Sequence, residues 1–249
     1  MALFLCVALL ASSAYMLVQE AGQYTESAGV YSKLTEYVGE AEPQAGEMHE
    51  GEAALAASRL PSIDFDALLE VNPDIRGWLL CEDTAINYPV VQGEDNSFYL
   101  KRLIDGTQNK AGCLFIDYEN IPFTDRNTIV YGHNLLDGSM LSELTQYQEQ
   151  AYYDAHPDML LVTPDGGYIV EVFAGFVVSP TEAGSDTSPW QLQWEDDAAF
   201  SVWQKATAER SLFQTDVTLE AGDQVLTLST CINNGVDRFI VMGKLTPTT

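Results

Sequence analysis

Three side chains in the sequence have the chemical types that nucleophilic catalysis by cysteine requires. Cys231 ends the apolar run VLTLSTC, His133 follows the β-branched run in TIVYGHN, and Arg238 opens the run RFIVMGKL. A cysteine nucleophile needs a thiolate, a proton donor for the leaving amine, and positive donors near the oxyanion that develops on the attacked carbonyl. Cysteine, histidine and arginine supply these three parts, so acyl transfer is the chemistry that their combination indicates.

Each of these residues also has an ordinary structural interpretation when it is considered alone. A strand-end histidine is commonly hydrogen-bonded to the protein, a cysteine in an apolar run is commonly buried, and a lone arginine is commonly solvated. The catalytic interpretation is favoured because seven positions separate Cys231 from Arg238, so a hairpin brings both side chains to one end of a sheet. Cys81 and Cys113 stand in apolar contexts and are predicted to be buried thiols, with a bridge between them as the alternative.

The charge of the chain restricts its partners. The 249 residues carry a formal charge of −26, from 37 acidic against 11 basic residues. This argues against a nucleic acid partner, because such binding depends on Lys and Arg neutralising phosphates. The negative field should also disfavour a thiolate, so we expect the Cys231 thiol to be mostly protonated at neutral pH. The four cysteines and three histidines lack the paired spacing of zinc ligands, so we predict no metal and no cofactor.

Composition divides the chain into three parts. Residues 1–18 contain an uncharged apolar run and are predicted to be a membrane anchor or a signal segment. A retained anchor is preferred because the run continues past the small residues Ser12 and Ala14. Residues 19–60 are acidic and poor in apolar side chains, which favours a stalk, and residues 61–249 form the catalytic domain. We therefore expect a single N-terminal anchor in the cell membrane, with the domain on the extracellular face.

The catalytic domain is predicted to be mainly β with helices. Eight short β-rich runs separated by turn residues indicate a closed eight-stranded barrel, which leaves no exposed sheet edge. N-terminal helices are expected before the barrel, one of them starting at Asp64, and a longer helix over about 195–212 is inserted before the last two strands. A shorter helix is expected at 139–147. The predicted strands are 77–80, 88–91, 112–117, 128–132, 159–163, 167–178, 224–230 and 238–245.

The motifs of this domain resemble those of the sortases, the cysteine transpeptidases that fix proteins to the cell wall of Gram-positive bacteria. TLSTC at 227–231 fits the family's TLxTC signature, with His133 in the YGHN block and Arg238 after the following loop. NPDIRGWL (72–79), INYPVVQ (86–92) and DNSFYL (95–100) are similar to class B members. The resemblance covers about 72–245 and implies the sortase barrel.

The resemblance also implies a reaction and a set of roles. Cys231 would attack the carbonyl of a threonine in a C-terminal sorting signal of the NPxTx type, and an amine on the cell wall would resolve the resulting thioacyl enzyme. His133 would act as acid and then as base, and Arg238 would stabilise the oxyanion. The positions that face the peptide in related enzymes match Asn96, Leu100, Tyr131 and Ser229.

Two alternatives remain at the level of sequence. One is a pilin-polymerising sortase whose acceptor is a lysine of a protein subunit, and the other is a catalytically silent sortase-like module that only binds a surface partner. The expected partners are secreted proteins with a sorting signal and an amine acceptor on peptidoglycan or a pilin. The membrane is a further expected partner, through the N-terminal segment.

Overall fold

Eight strands close into a single barrel in the computed structural model, which describes residues 2–39 and 59–248. The order around the barrel is β1-β2-β3-β4-β7-β8-β6-β5, with parallel pairing of β2 with β3 and of β4 with β7. The predicted closed eight-stranded barrel is therefore confirmed. The strands are β1 (Ile75–Leu80), β2 (Asn87–Val91), β3 (Leu114–Ile116), β4 (Asn127–Tyr131), β5 (Asp158–Thr163), β6 (Gly166–Val178), β7 (Gln224–Ile232) and β8 (Asp237–Pro247).

Alternation along β7 gives this strand two differently packed faces. Successive side chains of a strand point to opposite sides. Leu226 and Leu228 belong to the core that all eight strands share inside the barrel, whereas Val225 packs with Ile240 and Met242 in a second core on the outer face. Every second residue of β7 after Val225 therefore lies on the outer face of the barrel.

Helices surround the barrel. They are α1 (Ala2–Leu34), α2 (Phe65–Val71), α3 (Gln150–Ala155) and α4 (Asp197–Ala208), with short 3-10 segments at Thr35–Tyr37, Tyr99–Lys101, Ser142–Gln148, Pro180–Glu182 and Asn233–Gly235. Aspartates start two of them: Asp64 accepts from the N–H of Ala67 before α2, and Asp196 accepts from the N–H of Ala199 before α4. α4 lies between β6 and β7, which confirms the helix predicted before the last two strands. The helix predicted at 139–147 is the 3-10 segment Ser142–Gln148.

The membrane anchor predicted at residues 1–18 is wrong. No helix in the part of the chain that the structure describes is long and apolar enough to cross a membrane. The apolar run belongs to α1, which continues without a break through Gln19 and Glu20. The C-terminal end of this helix carries Tyr31 and Leu34, whose side chains are buried in the core. Of the predicted stalk, residues 40–58, which include His49, lie outside the described residues.

Candidate active site

The hairpin of β7 and β8 places Cys231 and Arg238 side by side. The two residues are partners in the antiparallel ladder. Facing residues of such a pair share one side of the sheet, with β-carbons about 4.5–5.5 Å apart. The turn between them is tight because Asn233, Asn234 and Gly235 all have positive φ angles, of 51°, 55° and 85°. Asparagine and glycine accept this backbone region at low cost, so the sequence INNG folds the strands back at this point.

The end of β4 brings His133 to the same face. Tyr131 is the parallel ladder partner of Ser229, and His133 follows Tyr131 by two positions. The ring of His133 is held by a hydrogen bond of 2.7 Å between Nε2 and the backbone oxygen of Leu100. A carbonyl only accepts, so Nε2 carries a proton in this arrangement and Nδ1 is the remaining nitrogen.

Three hydrogen bonds tie the end of β4 to the end of β7. Asn134 Nδ2 donates to the backbone oxygen of Cys231 at 2.9 Å. The hydroxyl of Thr230 donates to the oxygen of Gly132 at 2.8 Å, and the N–H of Gly132 donates to the oxygen of Ser229 at 3.2 Å. The backbones that carry the cysteine and the histidine are therefore fixed relative to each other.

The guanidinium of Arg238 is oriented by its own hairpin. Its Nη1 donates to the backbone oxygens of Gly235 and Asp237, at 2.9 and 3.0 Å. Within residues 2–39 and 59–248, these are the hydrogen bonds that Arg238 makes, and it forms no ion pair there. Its Nε and Nη2 protons are therefore available to a group in the site.

All seven residues that the sequence singled out line one cavity, which has a volume of about 190 Å³. Three of them are the candidate catalytic residues and four are the candidate peptide contacts. Sequence reasoning missed three further lining residues, Phe115, Gly132 and Thr230. Phe115 is detectable only through its ladder pairing with Tyr131, which no local motif reveals. The seven expected residues are Cys231, His133, Arg238, Asn96, Leu100, Tyr131 and Ser229.

The cysteines of the domain differ sharply in their surroundings. Cys231 is partly exposed, whereas Cys81 and Cys113 are buried, and all three are free thiols. Burial raises the pKa of Cys81 to about 11 and that of Cys113 to about 12. The predicted burial of these two thiols is confirmed, and the alternative of a bridge between them is wrong. Cys231 is the thiol that opens to a cavity.

The connection from β6 to β7 contacts one of the residues that line the cavity. Trp190 Nε1 donates to the hydroxyl oxygen of Ser229 at 3.2 Å. The backbone around this tryptophan is held by the fully buried Asn127, whose Nδ2 donates to the oxygens of Pro189 and Gln191, each at 3.0 Å. Sequence reasoning missed Trp190, because its contact is with a residue 39 positions away.

Comparison with known proteins agrees with this geometry. The model of the Sortase domain matches residues 79–246. Sortase B of Listeria monocytogenes is 33% identical over 182 residues, which cover 72% of each chain. The crystal structure of sortase B from Bacillus anthracis superimposes with a TM-score of 0.73 at 31% identity, over 90% of this chain and 98% of that one. A Staphylococcus aureus sortase B–substrate complex gives a TM-score of 0.69 at 28% identity, over 74% of this chain and 85% of that one.

The chain therefore belongs to the sortase family. Sortases join a sorting-signal substrate to a cell-wall amine. The curated relatives and the solved structures that it resembles are class B members. The protein is accordingly a sortase B-type transpeptidase.

Proposed function

We propose that this protein cleaves a sorting signal of the NPxTx type after its threonine and transfers the acyl group to a cell-wall amine. The observation that carries this proposal is the meeting of Cys231, His133 and Arg238 at one cavity. The similarity to a sortase B–substrate complex supports it.

The first half of the reaction forms a thioester. The Cys231 thiol first gives its proton to His133, and the thiolate sulfur then attacks the threonine carbonyl carbon. The C–S bond forms, and the C–N bond to the following residue breaks. His133 gives a proton to the leaving amine. Because the Leu100 oxygen holds one proton on Nε2, the proton that His133 exchanges is the one on Nδ1. The free N–H groups of Arg238 stabilise the oxyanion that forms on the way.

The second half reverses these steps with a new amine. The incoming amine attacks the thioester carbon, the C–N bond forms and the C–S bond breaks. His133 takes the proton that the amine releases, and Cys231 is restored. The net reaction exchanges one amide for another, so it needs no oxidant, metal or nucleotide.

The cavity wall suits a mixed peptide segment. Leu100, Phe115 and the ring of Tyr131 supply apolar surface, while Asn96 and Ser229 supply polar groups. A segment in which an asparagine and a proline precede a threonine presents the same mixture. Ile232 and Asn233 follow the cysteine, where class B members often have an acidic residue, so selection of the signal depends on the other walls.

A peptide-cleavage assay tests the proposal. The wild-type protein should cleave an NPxTx peptide after threonine and, with triglycine present, form the corresponding transpeptidation product, as mass spectrometry detects. Cys231→Ala should abolish both products while the circular dichroism spectrum stays unchanged. The matched control is Cys6→Ala, which removes an exposed thiol on α1 and should keep full activity.

The outcomes separate the proposed function from its alternatives. Cleavage that survives Cys231→Ala would refute the cysteine mechanism. Isopeptide-linked polymers of a pilin subunit, formed in place of triglycine products, would identify the acceptor as a protein lysine. Binding of the peptide by the wild type without any cleavage would identify a silent module.

A further inference from the structure

The carboxylate of Asp117 lies behind the cavity wall and joins two of the residues that line it. Asp117 directly follows β3 and is 7% exposed. Its Oδ2 accepts hydrogen bonds from Asn96 Nδ2 and from the Tyr131 hydroxyl, both 2.9 Å long. Its Oδ1 accepts from the backbone N–H of Glu119 at 3.0 Å. Asp117 is not itself among the residues that line the cavity.

The bond to Asp117 uses the only proton of the Tyr131 hydroxyl. A phenol has one O–H donor, and a carboxylate only accepts. Burial and the negative charge of Asp117 raise the pKa of Tyr131 above its ordinary value, so the phenol keeps its proton throughout the physiological range. Tyr131 therefore presents its ring and its oxygen lone pairs to the cavity, and it has no proton left to donate to a bound peptide.

The same carboxylate fixes the direction of the Asn96 amide. Asn96 Nδ2 donates to Asp117, and Asn96 Oδ1 accepts from the backbone N–H of Tyr118 at 3.0 Å. Exchanging the amide oxygen and nitrogen would set an acceptor against an acceptor and a donor against a donor. Asn96 therefore has a single N–H, the second one on Nδ2, to offer to a ligand.

We propose that Asp117 is a positioning residue that sets the hydrogen-bonding pattern of the cavity through Asn96 and Tyr131. One amide N–H beside an aromatic ring suits a peptide carbonyl that is followed by an apolar or cyclic side chain. This role rests on the proposed function, because the occupant of the cavity is taken to be the sorting signal of a substrate protein.

Asp117→Asn is the substitution that tests this role. It keeps the shape of the side chain and removes its charge. Asp117 accepts on both oxygens, so the new amide nitrogen faces a donor in either orientation. We expect the KM for an NPxTx peptide to rise at least about tenfold, as for the loss of a hydrogen bond to a charged group. The kcat should change little, since no reacting atom contacts Asp117.

Asp125→Asn is the matched control. Asp125 lies in the same connection between β3 and β4, and its Oδ2 accepts from Asn120 Nδ2 at 2.9 Å and from the N–H of Ile121 at 2.7 Å. These partners are not cavity residues. A purely structural role of Asp117 would give both variants the same kinetics with similar losses of stability. If the KM of Asp117→Asn equals that of Asp125→Asn and the wild type, the proposal is overturned.

A titration of Tyr131 tests the same role without catalysis. The ultraviolet absorbance of tyrosinate is measured for each protein and for its Tyr131→Phe counterpart, and the difference reports Tyr131 alone. Tyr131 should ionise at a lower pH in Asp117→Asn than in the wild type, because a neighbouring negative charge is gone. Equal titration in the two proteins would contradict the proposal.

The readouts distinguish this proposal from the proposed function. A wild-type protein that cleaves no NPxTx peptide counts against the function, and the titration then still decides the role of Asp117. If Asp117→Asn does not fold, Asn96→Ala and Tyr131→Phe are measured alone and combined. Both residues donate to one carboxylate oxygen, so their effects on KM should be non-additive, and independent effects would overturn the proposal.

Discussion

Replacing Tyr31 with phenylalanine should weaken the packing of α1 against the barrel. The buried hydroxyl of Tyr31 donates to the backbone oxygen of Gly112 at 2.6 Å. Gly112 in turn adjoins Leu100, since a β-carbon at position 112 would lie 2.8 Å from the Leu100 oxygen. The same Leu100 oxygen accepts the hydrogen bond from His133, so the contact of Tyr31 with Gly112 lies next to the candidate site.

The size of the effect follows from what the substitution removes. Phenylalanine keeps the ring and its edge contact with Tyr88, where the centroids are 5.2 Å apart. The buried Gly112 oxygen loses its donor, which costs about 1–3 kcal/mol of unfolding free energy. Each kcal/mol corresponds to a fall of about 2–4 °C in melting temperature for a chain of this size. Chemical denaturation at neutral pH measures the free energy directly.

The difference between wild type and Tyr31→Phe should shrink at alkaline pH. Burial raises the pKa of Tyr31 well above its ordinary value, and the neighbouring Cys113 adds to the shift. The stability that depends on the neutral phenol is fully present below the unfolded-state pKa of about 10. It is lost as the pH rises toward the folded-state value, because the unfolded chain releases the proton first. Phenylalanine has no such proton, so the two stability curves converge.

Tyr24→Phe on the same helix is the matched control. The Tyr24 hydroxyl donates at 3.2 Å to Glu20, one turn earlier in α1, so the hydrogen bond that the substitution removes lies within the helix. The free energy of unfolding should then change by less than about 0.5 kcal/mol. If Tyr24→Phe and Tyr31→Phe lowered the free energy of unfolding equally, the stabilising role of the hydrogen bond from Tyr31 to Gly112 would be refuted.

Two further predictions concern the cavity wall and the buried thiols. Trp190→Phe removes the hydrogen bond to Ser229 and should raise the KM for the peptide about two- to tenfold. Steady-state kinetics measures this, and an unchanged KM would show that the hydrogen bond from Trp190 to Ser229 does not affect peptide binding. Iodoacetamide at neutral pH should spare Cys81 and Cys113 in the native protein, since burial raises their pKa values to about 11 and about 12. Mass spectrometry should find both alkylated only after unfolding, and native labelling of either would contradict their burial.

The barrel was predictable because its strands carry a local signal. β-branched and aromatic runs between turn residues indicate strands whatever their partners are, and eight strands in one domain suit a closed barrel, which has no exposed sheet edge. The prediction was less accurate for the ends of strands, where the backbone conformation of single residues decides the boundary. β3 is only Leu114–Ile116, although 112–117 was expected, because Gly112 has a φ of 59° that is incompatible with a strand.

The N-terminal helix was misjudged because composition does not reveal long-range contacts. The sequence pattern of an uncharged apolar run does not distinguish a membrane-spanning helix from the first part of a longer helix that packs against the domain. The contacts that the structure shows belong to the later part of the helix, where Tyr31 and Leu34 are buried and Lys110 pairs with Glu20 from far along the sequence. Asp117 was missed as a functional residue for the same reason, since Asn96 and Tyr131 are 21 and 14 positions away.

The acidity of the chain does not neutralise Arg238, the positive charge that the proposed mechanism uses. Six basic residues in the described part of the chain form ion pairs with carboxylates, and Arg238 is not one of them. Its Nη1 is satisfied by two backbone oxygens of its own hairpin, which orient the guanidinium without neutralising it. The carboxylate of Asp117, behind the cavity wall, accepts hydrogen bonds from three other donors. A cation held in this way keeps its charge, even in a protein with a net charge of −26, as the oxyanion-stabilising role that we propose for Arg238 requires.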